Sequence, residues 1–265
     1  MTTTTTSFPP NAVQRHPARR RVVDAPTRVF HWLFALSFAG AYLSADGERF
    51  RLLHVTLGYT MAGLLVFRIL YGLLGPRQAG LALLWRKLSN LRPWAQSVQS
   101  SLHGLTHAND PAQAAASRLP VNWRQGQNLF MALAIVVLLL MVVPLTLSGY
   151  ATYNEWGDFL GGDWVGEVHE FFGEASLAVV LAHIAAIVGL SLWRRKNMAA
   201  PMVTGQVDGA GPDVAKRNHL WLGVLLLAAV LAYWAWEWQQ SPHGLIPMQS
   251  VQAVLQGERG HGDDD

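Results

Sequence analysis

The apolar residues of the chain gather into five long runs separated by polar and charged stretches. The runs cover about Val29 to Ala45, Leu52 to Gly75, Leu129 to Gly149, Val168 to Trp193 and Leu220 to Trp238. A helix needs about 20 consecutive apolar residues to cross the hydrocarbon of a bilayer. Continuous apolarity on this scale predicts spanning helices, not the alternation of a half-buried strand. Gly75 and Pro76 stop the second run as a helix C-terminus should. Pro144 predicts a kink in the third. Arg194, Arg195 and Lys196 stop the fourth. No repeat of solenoid length is present.

The first run also has the outline of a signal peptide, because a basic region precedes it and Leu43-Ser44-Ala45 resembles a cleavage site. His31 and Trp32 lie inside it and argue that it stays as a span. The residues before it, with a threonine run, Pro9-Pro10 and the cluster Arg19, Arg20 and Arg21, read as disordered.

Composition agrees with a membrane protein. Hydrophobic residues make up 51% of the 265, and charged residues only 14%, against about a quarter in soluble domains. Many of the 11 tryptophans stand near run ends, where membrane interfaces favour them. The net charge of +3 comes from Lys and Arg clusters beside the runs, so it implies no nucleic-acid partner. The chain has no cysteine. That excludes disulfides, cysteine-ligated iron–sulfur clusters and covalent haem attachment within it.

The loops set a topology, because Lys and Arg favour the cytoplasmic side. The N-terminus, the 76–127 loop (Arg77, Arg86, Lys87, Arg92, Arg118, Arg124) and the 194–217 loop are basic. The 150–167 loop carries Glu155, Asp158, Asp163 and Glu167 with no Lys or Arg, and the tail ends in three aspartates. The first hairpin loop sets Arg49 and Arg51 against Asp46 and Glu48 and decides little. The expectation is five spans, with the N-terminus in the cytoplasm and the C-terminus outside.

Of ten histidines, those at 16, 103, 107, 219, 243 and 261 lie in loops, tails or at a span edge and read as surface residues. His31, His54, His169 and His183 lie in or at the mouths of spans. A polar ionisable side chain in hydrocarbon is costly and needs a partner or a task. One such histidine reads as a hydrogen-bonded packing residue; four point to a cofactor that takes them in pairs. A haem iron with two axial imidazoles does so.

His169 and His183 are 14 residues apart, four turns at about 3.5 residues each, so they share a face about 21 Å apart along the axis. Depth along antiparallel helices pairs His54 with His169 at the outer side and His31 with His183 at the inner side. The inner depths match only if the first helix starts below the interface or tilts. Gly58 follows His54 by one turn, with Gly63 beyond it; Gly40 and Gly173 stand on the first and fourth spans. These glycines suit either a flat macrocycle or ordinary helix packing. Arg68, and Arg28 near the first span, can meet a haem propionate or snorkel to lipid phosphate.

Three stretches carry a family resemblance. VVDAPTRVFHW is similar to the start of the first helix of bacterial cytochromes b561 and of the b-type cytochrome subunits of nickel–iron hydrogenases. RLLHVTLGYTMAGLLVFRILYGLLGPR resembles their second helix. VHEFFGEASLAVVLAHIAAIVGLSLWRRKNMAAPMVTG resembles their fourth helix and the segment after it. The resemblance covers residues 22–205. It implies an all-α integral membrane fold with a four-helix core and two haems b. His31 and His183 would bind the inner haem, and His54 and His169 the outer. The fifth span, in 206–238, is additional to that core, and the 76–127 loop fits the family pattern less clearly. A disordered segment 1–21 and a polar periplasmic tail 239–265 flank these parts.

The function implied is electron transfer across a bacterial inner membrane, between the quinone pool and a partner such as a periplasmic cytochrome c, a hydrogenase or another dehydrogenase subunit. The chain is then an electron-transfer subunit rather than a stand-alone catalyst. An enzyme acting directly on superoxide or quinone is an alternative, but superoxide would need a cationic approach to the outer haem, and the 150–167 loop is acidic. A haem-free transporter is a third reading, which the paired depths disfavour.

Overall fold

The computed structural model describes residues 18–77, 79–89, 91–106, 123–160, 162 and 164–241. The disorder expected of 1–17, the tail beyond Ser241 and part of the 76–127 loop lie outside them. In chain order the elements are β1 (Arg19–Arg21), α1 (Ala25–Leu43), α2 (Arg51–Leu74), α3 (Leu81–Ser89), α4 (Leu91–Thr106), α5 (Trp123–Tyr153), α6 (Gly157–Leu160), α7 (Trp164–Arg194), α8 (Ala200–Thr204), β2 (Gln206–Asp208) and α9 (Leu220–Gln240).

All five apolar runs are helical. Among the described residues, four helical segments are long and apolar enough to cross a membrane: Glu48–Leu74, Gln125–Tyr153, Trp164–Arg194 and Leu220–Gln240. The helix of the first run, α1, is not among them. It has 19 residues, and Pro26, Arg28, His31 and Trp32 dilute its apolar face. Phe30, Leu33, Ser37, Phe38 and Ala41 face the bundle and are buried, while Trp32, Leu36 and Leu43 are exposed on the other side.

Local chemistry fixes the ends of α1. Asp24 is its N-cap and accepts the Thr27 amide at 3.2 Å, with Pro26 in the first turn where a missing N–H costs nothing. At the other end the Ser44 hydroxyl donates to the Gly40 carbonyl at 2.7 Å. The helix α5 runs through Pro144 and starts at Trp123, ahead of the apolar run.

α1 and α2 form one antiparallel hairpin, α5 and α7 another, and α2 packs on α5. Phe38, Met61, Leu65, Val142 and Leu145 make the central core, against which Phe172, Leu177 and Val180 of α7 pack. The additional helix α9 lies against α1 and α2, through Phe30, Leu33, Leu64 and Val230. It runs parallel to α1. The Ala25 amide donates to Asn218 O at 3.0 Å, and a Cβ on Gly223 would lie 3.3 Å from the Ala25 backbone. Higher up, Trp234 Nε1 donates to the buried Thr60 hydroxyl at 2.9 Å. One of the aromatics expected to anchor the span end is thus spent on helix packing.

Two polar stretches are more ordered than the sequence suggests. Arg19–Arg21, expected within a disordered segment, pairs antiparallel with Gln206–Asp208. The physical reason lies 187 residues downstream by chain numbering: the segment after α8 returns to the start of α1. Gly205, at φ +77°, offers its carbonyl to the amides of Val22 and Val23 at 2.8 and 3.2 Å. A Cβ there would lie 2.7 Å from Val23 O, so only glycine fits both the conformation and the approach. Within the 76–127 loop, α3 and α4 are amphipathic helices; α3 packs on α5, and Leu81 fills the space beside Gly72.

Candidate functional site

α7 carries both His169 and His183. It packs closely on α5, whereas among the described residues its backbone makes no comparable approach to α1 or α2. Side chains bridge that interval. His54 of α2 and His169 face each other with ring centroids 5.8 Å apart and planes at 79°. His31 of α1 and His183 are close enough for their charges to interact. Tyr42 of α1 donates to Glu174 Oε1 at 2.9 Å. The structure therefore brings His54 and His169 into ring contact and places His183 within electrostatic range of His31. Between the two pairs stands the apolar core of Phe38, Met61, Leu65 and Phe172.

The pair nearer the α1–α2 turn is oriented by main-chain carbonyls. His54 Nδ1 lies 2.8 Å from Ala41 O, in the last turn of α1, a carbonyl that also accepts from the Ser44 amide at 3.3 Å and the Ser44 hydroxyl at 3.2 Å. His169 Nδ1 lies 2.9 Å from Leu145 O and 3.4 Å from the Ser148 hydroxyl. With Nδ1 taken as the donor, Nε2 of each ring is left as a lone-pair ligand. This is the usual arrangement of a metal-binding imidazole and its supporting shell. Among the described residues, His31 Nδ1 and His183 Nδ1 are buried and meet no protein hydrogen-bond partner.

Among the described residues no three His, Cys, Asp or Glu side chains converge to hold a metal ion. Each imidazole pair therefore suits a metal that brings its other ligands with it. Two imidazole–metal bonds of about 2 Å each, plus the two ring radii, come to roughly the His54–His169 separation.

A model of the family described as prokaryotic cytochrome b561 matches residues 22–205. The chain belongs to that family. No curated protein and no solved structure matches it. As a prokaryotic cytochrome b561 it is a multi-pass membrane protein that binds b-type haem and serves transmembrane electron transfer. The matched region ends where the structure closes it, at the Gly205 turn against the start of α1.

The residues of this cytochrome fit such a group. A Cβ added at Gly58 or Gly173, each one turn from a histidine, would meet no described atom within 4 Å beyond its own stretch of helix, so surface is open beside His54 and His169; Gly63 is open too but lies on the other side of α2. Gly40 is different: a Cβ there would lie 2.7 Å from Leu57 Cδ1, so it serves α1–α2 packing.

The arginines have protein partners. Arg68 is 8% exposed, donates to Ala79 O at 2.9 Å and interacts with the Asp24 carboxylate. Arg28 donates to Val203 O at 2.9 Å, and Trp32 Nε1 to Met202 O at 3.0 Å. These two bonds fasten α8 over the α1 mouth below His31.

Several site residues escape sequence reading. Asp24, 2% exposed, caps α1 with one oxygen and accepts Tyr71 Oη at 2.7 Å with the other. An N-cap Asp ahead of Pro26 is a readable signal for the first role. Gly149 is another: a Cβ there would lie 2.8 Å from His169 Cε1 and 3.0 Å from Nδ1. Nothing in the sequence marks this contact, because it depends on how α5 and α7 meet.

Proposed function

We propose that this cytochrome carries two haems b, one held by His54 and His169 and the other by His31 and His183. Together they relay electrons between the quinone pool and a periplasmic partner, such as a cytochrome c or a hydrogenase or dehydrogenase subunit. The observation that carries the proposal is the facing pair His54–His169, with His183 on the same helix within electrostatic range of His31 beyond an apolar core. A bound haem b would supply a one-electron carrier, and each histidine pair names the residues that would hold it. α7 contributes to both sites and keeps them on one face, about 21 Å apart along the helix. The carbonyls of Ala41 and Leu145 orient one pair. Gly58 and Gly173 leave room beside that pair for the macrocycle. At the His31 end Arg68, bonded to Ala79 O, and Arg28, bonded to Val203 O, bring positive charge near that pair.

A pyridine haemochrome assay on purified protein is expected to give about two non-covalent haems per chain. A ratio near one or zero overturns the proposal.

The proposed topology places the His31–His183 end toward the cytoplasm of the bacterial inner membrane. α1 is the first of five spans and the C-terminus is periplasmic. The basic residues Arg19, Arg20, Arg21, Lys216 and Arg217 stand at the same end as the start of α1, as this orientation requires. Alkaline phosphatase fused after Gln240 is expected to be active, and a fluorescent protein fused there dark. The opposite result would place α9 wholly on one side of the membrane.

A further inference from the structure

The helices α3 and α4 take no part in the histidine sites, yet the fold holds them against the ends of α2 and α5. From their depth, their exposed residues and their charge we propose that they form a seat for anionic phospholipid, with α3 lying in the headgroup zone of the bilayer. The proposal does not depend on how many haems the chain carries.

The depth of α3 is fixed by two contacts. After α2 ends at Leu74 the chain turns back along it. Ala79 O accepts Arg68 Nη1 at 2.9 Å, and Leu81 Cγ lies 2.6 Å from where a Cβ on Gly72 would stand. The start of α3 is therefore level with residues 68–72, within the last turns of α2. Those same turns expose Leu70, Leu73 and Leu74, as the surface of a spanning helix facing hydrocarbon does. α4 is held at the same edge of the bundle. Its Trp94 ring lies against Gly126 in the first turn of α5, where an added Cβ would stand 2.8 Å from Trp94 Nε1. The neighbouring Gln127 accepts from Arg194, the last residue of α7.

One stripe of α3 turns to the bundle: Leu84 is buried, and Leu81 and Leu88 are half-buried. Trp85 is 75% exposed, and Arg86 and Lys87 are exposed beside it. Arg77 before α3, and Leu91 and Arg92 after it, are exposed as well. Tryptophan favours the headgroup level, where its ring sits among acyl chains and its N–H meets polar groups. An amphipathic helix with an aromatic anchor and basic residues is suited to lie in the interface plane.

Charge selects the lipid. Residues 75–106 contain four bases, Arg77, Arg86, Lys87 and Arg92, and no Asp or Glu. Each base near an anionic bilayer surface strengthens association roughly fivefold. The guanidinium groups of Arg77 and Arg92 can grip a lipid phosphate through paired N–H donors. An acidic soluble protein would match the charge but not the depth, because Trp85 and Leu91 stand beside helix turns whose own outer surface is apolar.

Two measurements test the seat. The chain has no cysteine, so one introduced cysteine carries a unique spin label. Labelled Trp85→Cys holoprotein is reconstituted in vesicles of phosphatidylglycerol and phosphatidylcholine. The label is expected to be relaxed by oxygen more than by a water-soluble nickel chelate. Greater access to the chelate, which would suit an acidic soluble partner instead, overturns the proposal, as does a label shielded from both. Lipid choice is read by native mass spectrometry of holoprotein equilibrated with equal amounts of the two lipids. Phosphatidylglycerol is expected to be retained at least about fivefold over phosphatidylcholine. Arg77→Gln/Lys87→Gln/Arg92→Gln should cut that preference at least about fivefold with haem content unchanged, whereas Lys216→Gln/Arg217→Gln should leave it as it was. Lys87→Gln alone should lower it in part, which keeps the test open if the triple variant fails to fold. A wild-type protein with no preference, a triple variant that keeps it, or an equal loss in the Lys216/Arg217 variant overturns the proposal.

Discussion

His54→Ala and His169→Ala are each expected to lose one haem, and the same one. His31→Ala and His183→Ala are each expected to lose the other. Haem content in all four single variants is expected to fall from about two to about one per chain. The expectation follows from geometry. The His54 and His169 rings face each other at 5.8 Å, while His31 and His183 interact with each other at the far end of α7. An imidazole facing an iron alone cannot supply both axial bonds, so loss of either partner empties or opens the site. The remaining pair lies beyond the core of Phe38, Met61, Leu65 and Val142 and is not disturbed. Low-temperature absorption spectra resolve the two components. If His54→Ala and His183→Ala deplete the same one, the pairing is wrong. The double variant His54→Ala/His169→Ala should look like either single variant, because both remove one site.

The periodicity that makes this argument possible was visible before any coordinates. Fourteen residues between His169 and His183 place two polar rings on one face of a helix, whatever the helix packs against. The five helices were legible for the same reason: long apolar runs have few ways to satisfy their backbone in a bilayer. Tertiary encounters were not legible. The pairing of Arg19–Arg21 with Gln206–Asp208 joins segments far apart in the chain, and three arginines in succession resemble a solvated tail. Arg68 reads equally as a propionate or phosphate ligand until Ala79 O and Asp24 are found beside it. Helix α1 shows the limit of hydropathy itself. Its polar residues lower its mean below that of a lone span, yet they are the ones that bond to α8, cap the helix or meet His183.

Two glycines separate the haem surface from the ring support. Gly149→Leu is expected to remove the His54–His169 haem with the protein still inserted and the other haem retained. A Cβ at Gly149 already approaches His169 Cε1 to 2.8 Å, so a larger side chain must turn that imidazole away from Leu145 O. Gly149→Ala asks less than leucine, but its Cβ would still stand 2.8 Å from His169 Cε1, so the ring must shift and the spectrum of that haem should change. Gly58→Leu is expected to remove the same haem for a different reason. Among the described residues, and beyond its own stretch of helix, no atom lies within 4 Å of a Cβ there, and residue 58 sits one turn from His54 on the same face. Its side chain enters space that a macrocycle on His54 would use. Leucine is also a better helix former than glycine, by up to about 1 kcal/mol per residue in model helices. The apoprotein of Gly58→Leu should therefore unfold no earlier than wild-type apoprotein, whereas the holoprotein should carry about one haem instead of about two. A Gly58→Leu protein that retains both haems with unchanged spectra would show that this face packs against lipid, and that the macrocycle lies on the opposite side of His54.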